Sequence, residues 1–162
     1  DGLTETNAGR LTAGKAGLFA CTPRAVMAIL DHYKIPIDGK KAVIIGRSNV
    51  IGKPVSLMLL SKNATVTICH SHTKDIASIT READILVAVG HANYVTADMV
   101  KEGATVIDVG INRVDGKTVG DVDYEAVAAK AGAITPVPGG VGSVTTTMVI
   151  ENIIAAGEKL AK

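Results

Sequence analysis

Tryptophan is absent from this 162-residue chain, phenylalanine occurs once and tyrosine three times. So few rings (Phe19, Tyr33, Tyr94, Tyr124) leave no stacking platform of the kind that single-strand nucleic-acid binders use. Charge of one sign is lacking too: 17 basic against 16 acidic residues leave +1, so no overall field draws in a phosphate backbone. Nucleic acid is not an expected partner. The two cysteines, Cys21 and Cys69, stand far apart and form no C-x-x-C pair, which predicts reduced thiols in a cytosolic-type compartment. Long apolar runs are missing as well. Gly, Thr, Asp or Lys breaks each one short of the roughly 20 residues of a membrane span, so a soluble chain is expected, with no membrane contact. The chain opens on Asp1-Gly2 without a basic, apolar leader, and a fragment or processed chain is the expectation.

What is present is a globular composition, 47% apolar and 20% charged, on a length suited to one domain over residues 1–162. From about residue 20 onward a β-branched run, a glycine-containing turn and an amphipathic stretch alternate. That alternation predicts an α/β fold, a doubly wound, mostly parallel, Rossmann-like sheet with flanking helices. A leading helix is expected from Cys21-Thr22-Pro23, with Thr22 as its cap and Pro23 at its first position, ending before Pro36. Strands are predicted at 41–46, 64–69, 84–89, 104–109 and 133–137. Helices are predicted at about 52–61, 74–83, 96–101, 123–130 and 144–160. Val114-Asp-Gly-Lys-Thr-Val119 carries the Asp-Gly signal of a tight hairpin at the sheet edge.

Gly46-Arg-Ser-Asn-Val-Ile-Gly52 falls between the first strand and its helix, where a doubly wound fold binds a dinucleotide pyrophosphate. Gly46 permits the sharp turn, Gly52 permits close packing of helix on strand, and free N–H groups at the helix start attract phosphate. The spacing is one residue longer than the usual fingerprint, with Ser48 in place of a glycine. An ordinary turn that needs glycine for geometry alone is the competing reading. At the end of the second strand, Cys69-His70-Ser71-His72 lacks the acidic residue that would bond a ribose 2′-hydroxyl. With Arg47 and Ser71 close by in this scheme, a 2′-phosphate is favoured and NADP is predicted over NAD. The alternative for Arg47 is a solvated surface charge.

Cys69, His70 and His72 do not make a zinc set, because alternation sends neighbours to opposite faces and no second ligand pair follows; no metal is predicted. His32 and His91 read as a helix-terminal charge and a loop residue. Thr135-Pro-Val-Pro-Gly-Gly-Val-Gly142, just past a strand end, predicts a stiff loop whose backbone approaches a flat ligand closely, or else a plain turn into the last helix. No Ser-His-Asp set, carboxylate pair or activated lysine can be assembled, so no catalytic residue is assigned.

Taken together, Asp1-Gly2, Asn7-x-Gly9-Arg10-Leu11, Cys21-Thr22-Pro23, Gly46-Arg47-Ser48 with Gly52-Lys53-Pro54, Ala64-Thr65-Val66-Thr67, Cys69-His70-Ser71, the 106–112 run Val-Ile-Asp-Val-Gly-Ile-Asn, Gly120-Asp121-Val122 and the Pro136–Gly142 loop resemble the bifunctional methylenetetrahydrofolate dehydrogenase/methenyltetrahydrofolate cyclohydrolase family. The resemblance covers essentially the whole chain in order. It implies NADP-linked oxidation of 5,10-methylenetetrahydrofolate to the methenyl form and hydrolysis to 10-formyltetrahydrofolate, within one-carbon metabolism and purine biosynthesis. It implies NADP contacts from Gly46, Arg47, Ser48, Ser71, Ile111 and Thr145, to which the turn and strand end add Gly52 and His70. It places Asp1, Pro138, Gly139, Gly140, Val141 and Gly142 at the folate substrate, and implies a cytoplasmic homodimer.

Family members carry an N-terminal domain with a catalytic Tyr-x-x-x-Lys pair. Here Tyr33, Tyr94 and Tyr124 are followed at that spacing by Ile37, Asp98 and Ala128. Residues 1–20 and 143–162 are therefore expected to pack against that domain, exposed apolar surface is expected on the first and last helices, and this chain alone is expected to be inactive. Ser143-Val144 replaces a common Pro-Met, and His91-Ala92 lacks a common proline. The alternatives are a non-catalytic NADP-binding module and, on fold analogy alone, another NADP oxidoreductase.

Overall fold

The computed structural model describes residues 1–161. Five strands, β1 (Lys41–Ile45), β2 (Thr65–Cys69), β3 (Ile85–Ala88), β4 (Thr105–Asp108) and β7 (Ala133–Ile134), form one sheet in the order β2-β1-β3-β4-β7. Every pairing in it is parallel, with Ala42 opposite Val66 on one side and Ile85 on the other. β1, β3 and β4 are near-continuous apolar runs because both faces are covered, whereas the edge strand β2 leaves Thr65, Thr67 and Ile68 exposed. Period-2 alternation divides their side chains between two cores. Ala42, Ile44, Ile85, Val87 and Ile107 pack under α2 (Cys21–His32), α3 (Gly52–Leu60) and the start of α6 (Val141–Leu160). Val43, Ile45, Leu86, Ala88 and Val106 pack on the other face against Val95, Met99, Val100, Val122 and Val127.

The chain leaves β1 for β2 on one side and returns to β3 on the other. The strand order therefore reverses between β1 and β3, and a crevice opens at their carboxyl ends, the usual ligand position in open α/β sheets.

Several local expectations are corrected. An additional helix, α1 (Glu5–Thr12), precedes the others, its N-terminus capped where Thr4 Oγ1 accepts the Asn7 N–H at 3.3 Å. Thr22 does not cap α2. The helix begins two residues earlier, at Cys21, and the Asp1 carboxylate, folded back from the chain start, accepts the Cys21 N–H at 2.6 Å. The helix expected over 74–83 shrinks to α4 (Ile76–Thr80), because Asp75 sits in the left-handed region and caps Ser78. The short helix near 96–101 is one 3₁₀ turn, Ala97–Met99. β7 is two residues long, and α5 (Tyr124–Ala128) has no side-chain bond from Asp123. The Asp115-Gly116 turn does close a hairpin, with both residues at positive φ as a type I′ turn requires. Its strands, β5 (Asn112–Val114) and β6 (Lys117–Val119), form their own two-stranded sheet instead of an edge of the main one.

α6 starts at Val141, three residues before expected, and runs along α2 in the opposite direction. Asn152 ties the pair: its amide donates to Phe19 O at 2.9 Å and Cys21 Sγ at 3.2 Å, and its oxygen accepts from Arg24 at 2.6 Å. The other side of α6 is bare, with Val149, Ile150, Ile153 and Ile154 exposed.

Candidate cofactor and substrate cleft

Gly46 ends β1 with φ +130° and donates its N–H to Cys69 O at 2.8 Å. A Cβ there would lie 2.7 Å from Val89 O, so only glycine lets the loop after β1 lie against the loop after β3. A Cβ on Gly52 would run into the Gly46 carbonyl, so α3 starts pressed onto the turn itself. Both glycines thus do what their spacing suggested. The helix start is not free, however. Ser48 Oγ accepts the Ile51 N–H at 3.0 Å and the Gly52 N–H at 3.3 Å, so the hydroxyl already caps α3. The groups left to an anion are the preceding N–H groups of Arg47, Ser48, Asn49 and Val50, which donate no hydrogen bond among the described residues. This cradle, too tight for any side chain and rimmed by unspent donors, fits a dinucleotide phosphate.

On the neighbouring strand, Cys69 is buried, and burial pushes its thiol up, away from ligand or nucleophile chemistry. His70 closes a tight turn: its N–H donates to Thr73 Oγ1 at 2.9 Å and its Nδ1 accepts the His72 N–H at 3.2 Å. That bond leaves the ring proton of a neutral His70 on Nε2. Ser71 at the tip is exposed, as is Arg47, which makes no ion pair among the described residues.

The proline-glycine loop forms the far wall of the cleft. Val137–Pro138 is cis, Gly139 has φ +97°, and a Cβ on Gly140 would strike Pro136 O. Val141 and Gly142 belong to the first turn of α6. With Asp108, Ile111, Thr118 and Ser143, residues 136–142 enclose a cavity of about 180 Å³. Ile111 is 73% exposed beside it. Thr145 lies one turn into α6 with its hydroxyl donating to Val141 O at 2.9 Å. Asp1 is not brought to this cavity. It sits at the α2 N-terminus, next to Gly2 and Leu3, which line a separate cavity of about 300 Å³ with Phe19, Asn49 and Lys53.

Two buried carboxylates that sequence reasoning did not single out hold these loops together. Asp108 at the end of β4 accepts the N–H groups of Gly110 (2.9 Å), Asp121 (2.9 Å) and Val122 (3.0 Å). Burial pushes its carboxyl up, against those three bonds, which pull it down. Asp121 accepts the Asn112 side-chain amide at 2.8 Å and the Gly90 N–H at 2.5 Å. Gly110 and Gly120 leave no room for a Cβ beside these carboxylates. A charged residue closing an otherwise apolar strand was the available signal.

A parallel sheet with a glycine cradle at its switch point and a rigid loop across the crevice defines a doubly wound, nucleotide-binding α/β domain. The particular family is shown by comparison with known proteins: the tetrahydrofolate dehydrogenase/cyclohydrolase NAD(P)-binding domain matches residues 20–161, and the chain belongs to that family. The bifunctional protein FolD of Burkholderia thailandensis is 59% identical over 99% of the chain, and that of Halothermothrix orenii 56% identical over 96%. The chain spans 57% and 56% of those proteins. Among solved structures, the methylenetetrahydrofolate dehydrogenase/cyclohydrolase FolD of Campylobacter jejuni superposes with a TM-score of 0.96 at 49% identity, covering 98% of this chain and 57% of that one. The Trypanosoma brucei enzyme, complexed with NADP cofactor and inhibitor, superposes with a TM-score of 0.92 at 38% identity, covering 100% of this chain and 59% of that one.

Proposed function

We propose that this chain is the NADP-binding half of an enzyme that oxidises 5,10-methylenetetrahydrofolate to the methenyl form and hydrolyses that to 10-formyltetrahydrofolate. The observation that carries the reading is the Gly46–Gly52 cradle at the switch point in a chain of this family. Arg47 and Ser71, with no acid at the end of β2, support NADP over NAD. NADP supplies the hydride acceptor. Gly46, Arg47, Ser48, Gly52, His70 and Ser71 would hold it at the cradle and the end of β2, with further contacts from Ile111 and Thr145 across the crevice. Pro138, Gly139, Gly140, Val141 and Gly142 form the wall against which the folate ring lies, and Asp1, bonded to the Cys21 N–H at the α2 N-terminus, would meet the substrate from the separate cavity there. The remaining portion of the longer relatives supplies the catalytic lysine and packs on residues 1–20 and 143–162, which fits the bare face of α6. A homodimer in the cytoplasm is part of the same reading.

Calorimetric titration with NADP and, separately, NAD tests it. NADP should bind more tightly, and Arg47→Ala should abolish the preference. The 162 residues alone should turn over negligibly, because hydride transfer needs reacting atoms within about 3–3.5 Å and the lysine-bearing wall is not among them. Equal affinity for both cofactors, or turnover by the isolated chain, would overturn the corresponding part. A non-catalytic NADP-binding module is less favoured, since the folate-side loop would then enclose its cavity without purpose.

A further inference from the structure

Behind the cavity at the proline-glycine loop stand Asp108, 3% exposed, and Asp121, 2% exposed. Their four carboxylate oxygens receive only N–H groups: Gly110, Asp121 and Val122 on Asp108, and Asn112 and Gly90 on Asp121. Hydrogen bonds from N–H groups of this kind favour the charged form of a carboxylate over the neutral one. None of the ion pairs among the described residues involves either one. Buried negative charge of this kind, left without a cation, is costly and ordinarily attracts one. Asp108 lines the cavity directly. Asp121 joins the loop after β3 to the loop after β4 through Gly90 and Asn112. Gly46 in turn lies against Val89, the neighbour of Gly90, so Asp121 stands directly behind the wall of the glycine cradle while Asp108 lines the cavity beside it.

We infer that Asp108 and Asp121 favour the oxidised over the reduced form of a nicotinamide dinucleotide bound at this wall, by presenting uncompensated negative charge to a ring that is cationic when oxidised and neutral when reduced. The inference rests on the nucleotide reading above and deepens it. The attraction acts through a poorly hydrated wall, where charge interactions are much stronger than in water. The amino end of α6 lies on the same cavity and opposes it with about half a positive charge, less than the two carboxylates together. A merely structural role for the pair would weaken both redox forms alike.

The test is calorimetric titration of the 162-residue chain with NADP⁺ and with NADPH. The unaltered chain should bind NADP⁺ more tightly than NADPH. In Asp121→Asn the ratio of the two affinities should fall several-fold toward unity, a tenfold change corresponding to about 30 mV in the bound two-electron couple. Asp84→Asn, at the amino end of the sheet, should leave it unchanged. Tighter or equal binding of NADPH by the unaltered chain overturns the inference whether or not the variant folds, and so does an unchanged ratio in a folded Asp121→Asn. Failure of the unaltered chain to bind either form overturns the nucleotide reading and the inference with it, so the two failures are distinct.

Discussion

Two glycines set the range of what one atom can do in this protein. Gly120 has no positive φ, yet a Cβ there would overlap the Asp108 carboxylate. Gly120→Ala should therefore destabilise by about 2–3 kcal/mol, as overpacking against a fixed, hydrogen-bonded group does. Gly157 in α6 has open space at its Cβ position, so Gly157→Ala should stabilise by about 0.5–1 kcal/mol through helix propensity. Thermal unfolding of the pair checks both signs, and two shifts of the same sign would refute the packing argument. Charge behaves as unevenly. The Lys101 ammonium, 2.6 Å away, and the Lys41 N–H hold the Asp84 carboxyl below the usual range, whereas burial raises Asp108. Asp84 thus contributes stability above its unfolded pKa, lost as pH falls through its lowered folded value. Asp108 binds its proton more readily folded than unfolded, so its contribution is present below the unfolded pKa and lost as pH rises through the raised one. Carbon-13 titration of the carboxyls should give Asp108 the higher midpoint of the two, and Lys101→Ala should move only that of Asp84, upward.

Elements show how far burial and capping decide what a sequence reveals. The α2–α6 pair depends on Asn152, buried and bonded to Phe19, Cys21 and Arg24 at once. Asn152→Ala should cost about 1–3 kcal/mol by leaving the Phe19 carbonyl without its partner and opening a gap between the helices. A denaturant midpoint unchanged from that of the parent would show the network to be idle. Nothing near Asn152 announced this, since its partners lie more than a hundred residues away. β1, β3 and β4 were legible because they are apolar on both faces, β2 from its β-branched residues despite its exposed edge, and the hairpin because only residues tolerating positive φ suit its turn. α1 was not, since Glu5–Thr12 buries no residue and its stability comes from a cap. The glycines of 139–142 hid the true start of α6. In the cleft, Gly46 and Gly52 could be read from their place between strand and helix. Asp108 and Asp121 stood within the motifs of the family resemblance, and a charge closing the apolar β4 was a signal for Asp108, but their role could not be read because the backbone N–H groups they bond lie in separate loops.

At the scale of the whole molecule the unusual feature is α6, a helix apolar on two sides. Val141, Met148 and Asn152 turn inward, while Val149, Ile150, Ile153 and Ile154 recur at helical spacing on the opposite side. A helix of this pattern is ordinarily covered on both sides, and a contiguous bare stripe is adhesive in water. The isolated chain should bind a hydrophobic dye and self-associate as concentration rises. Ile150 and Ile153 are 60% and 65% exposed, so little folding energy depends on them. Ile150→Glu with Ile153→Glu should therefore reduce dye binding and self-association severalfold while shifting stability by no more than about 0.5 kcal/mol. NADP should still bind the double variant, because the cradle from Gly46 to Gly52 lies in the turn between β1 and α3 and includes no residue of the stripe. Dye binding that persists in the variant would place the adhesive surface elsewhere, and a large loss of stability would mean that the stripe is already covered within the chain.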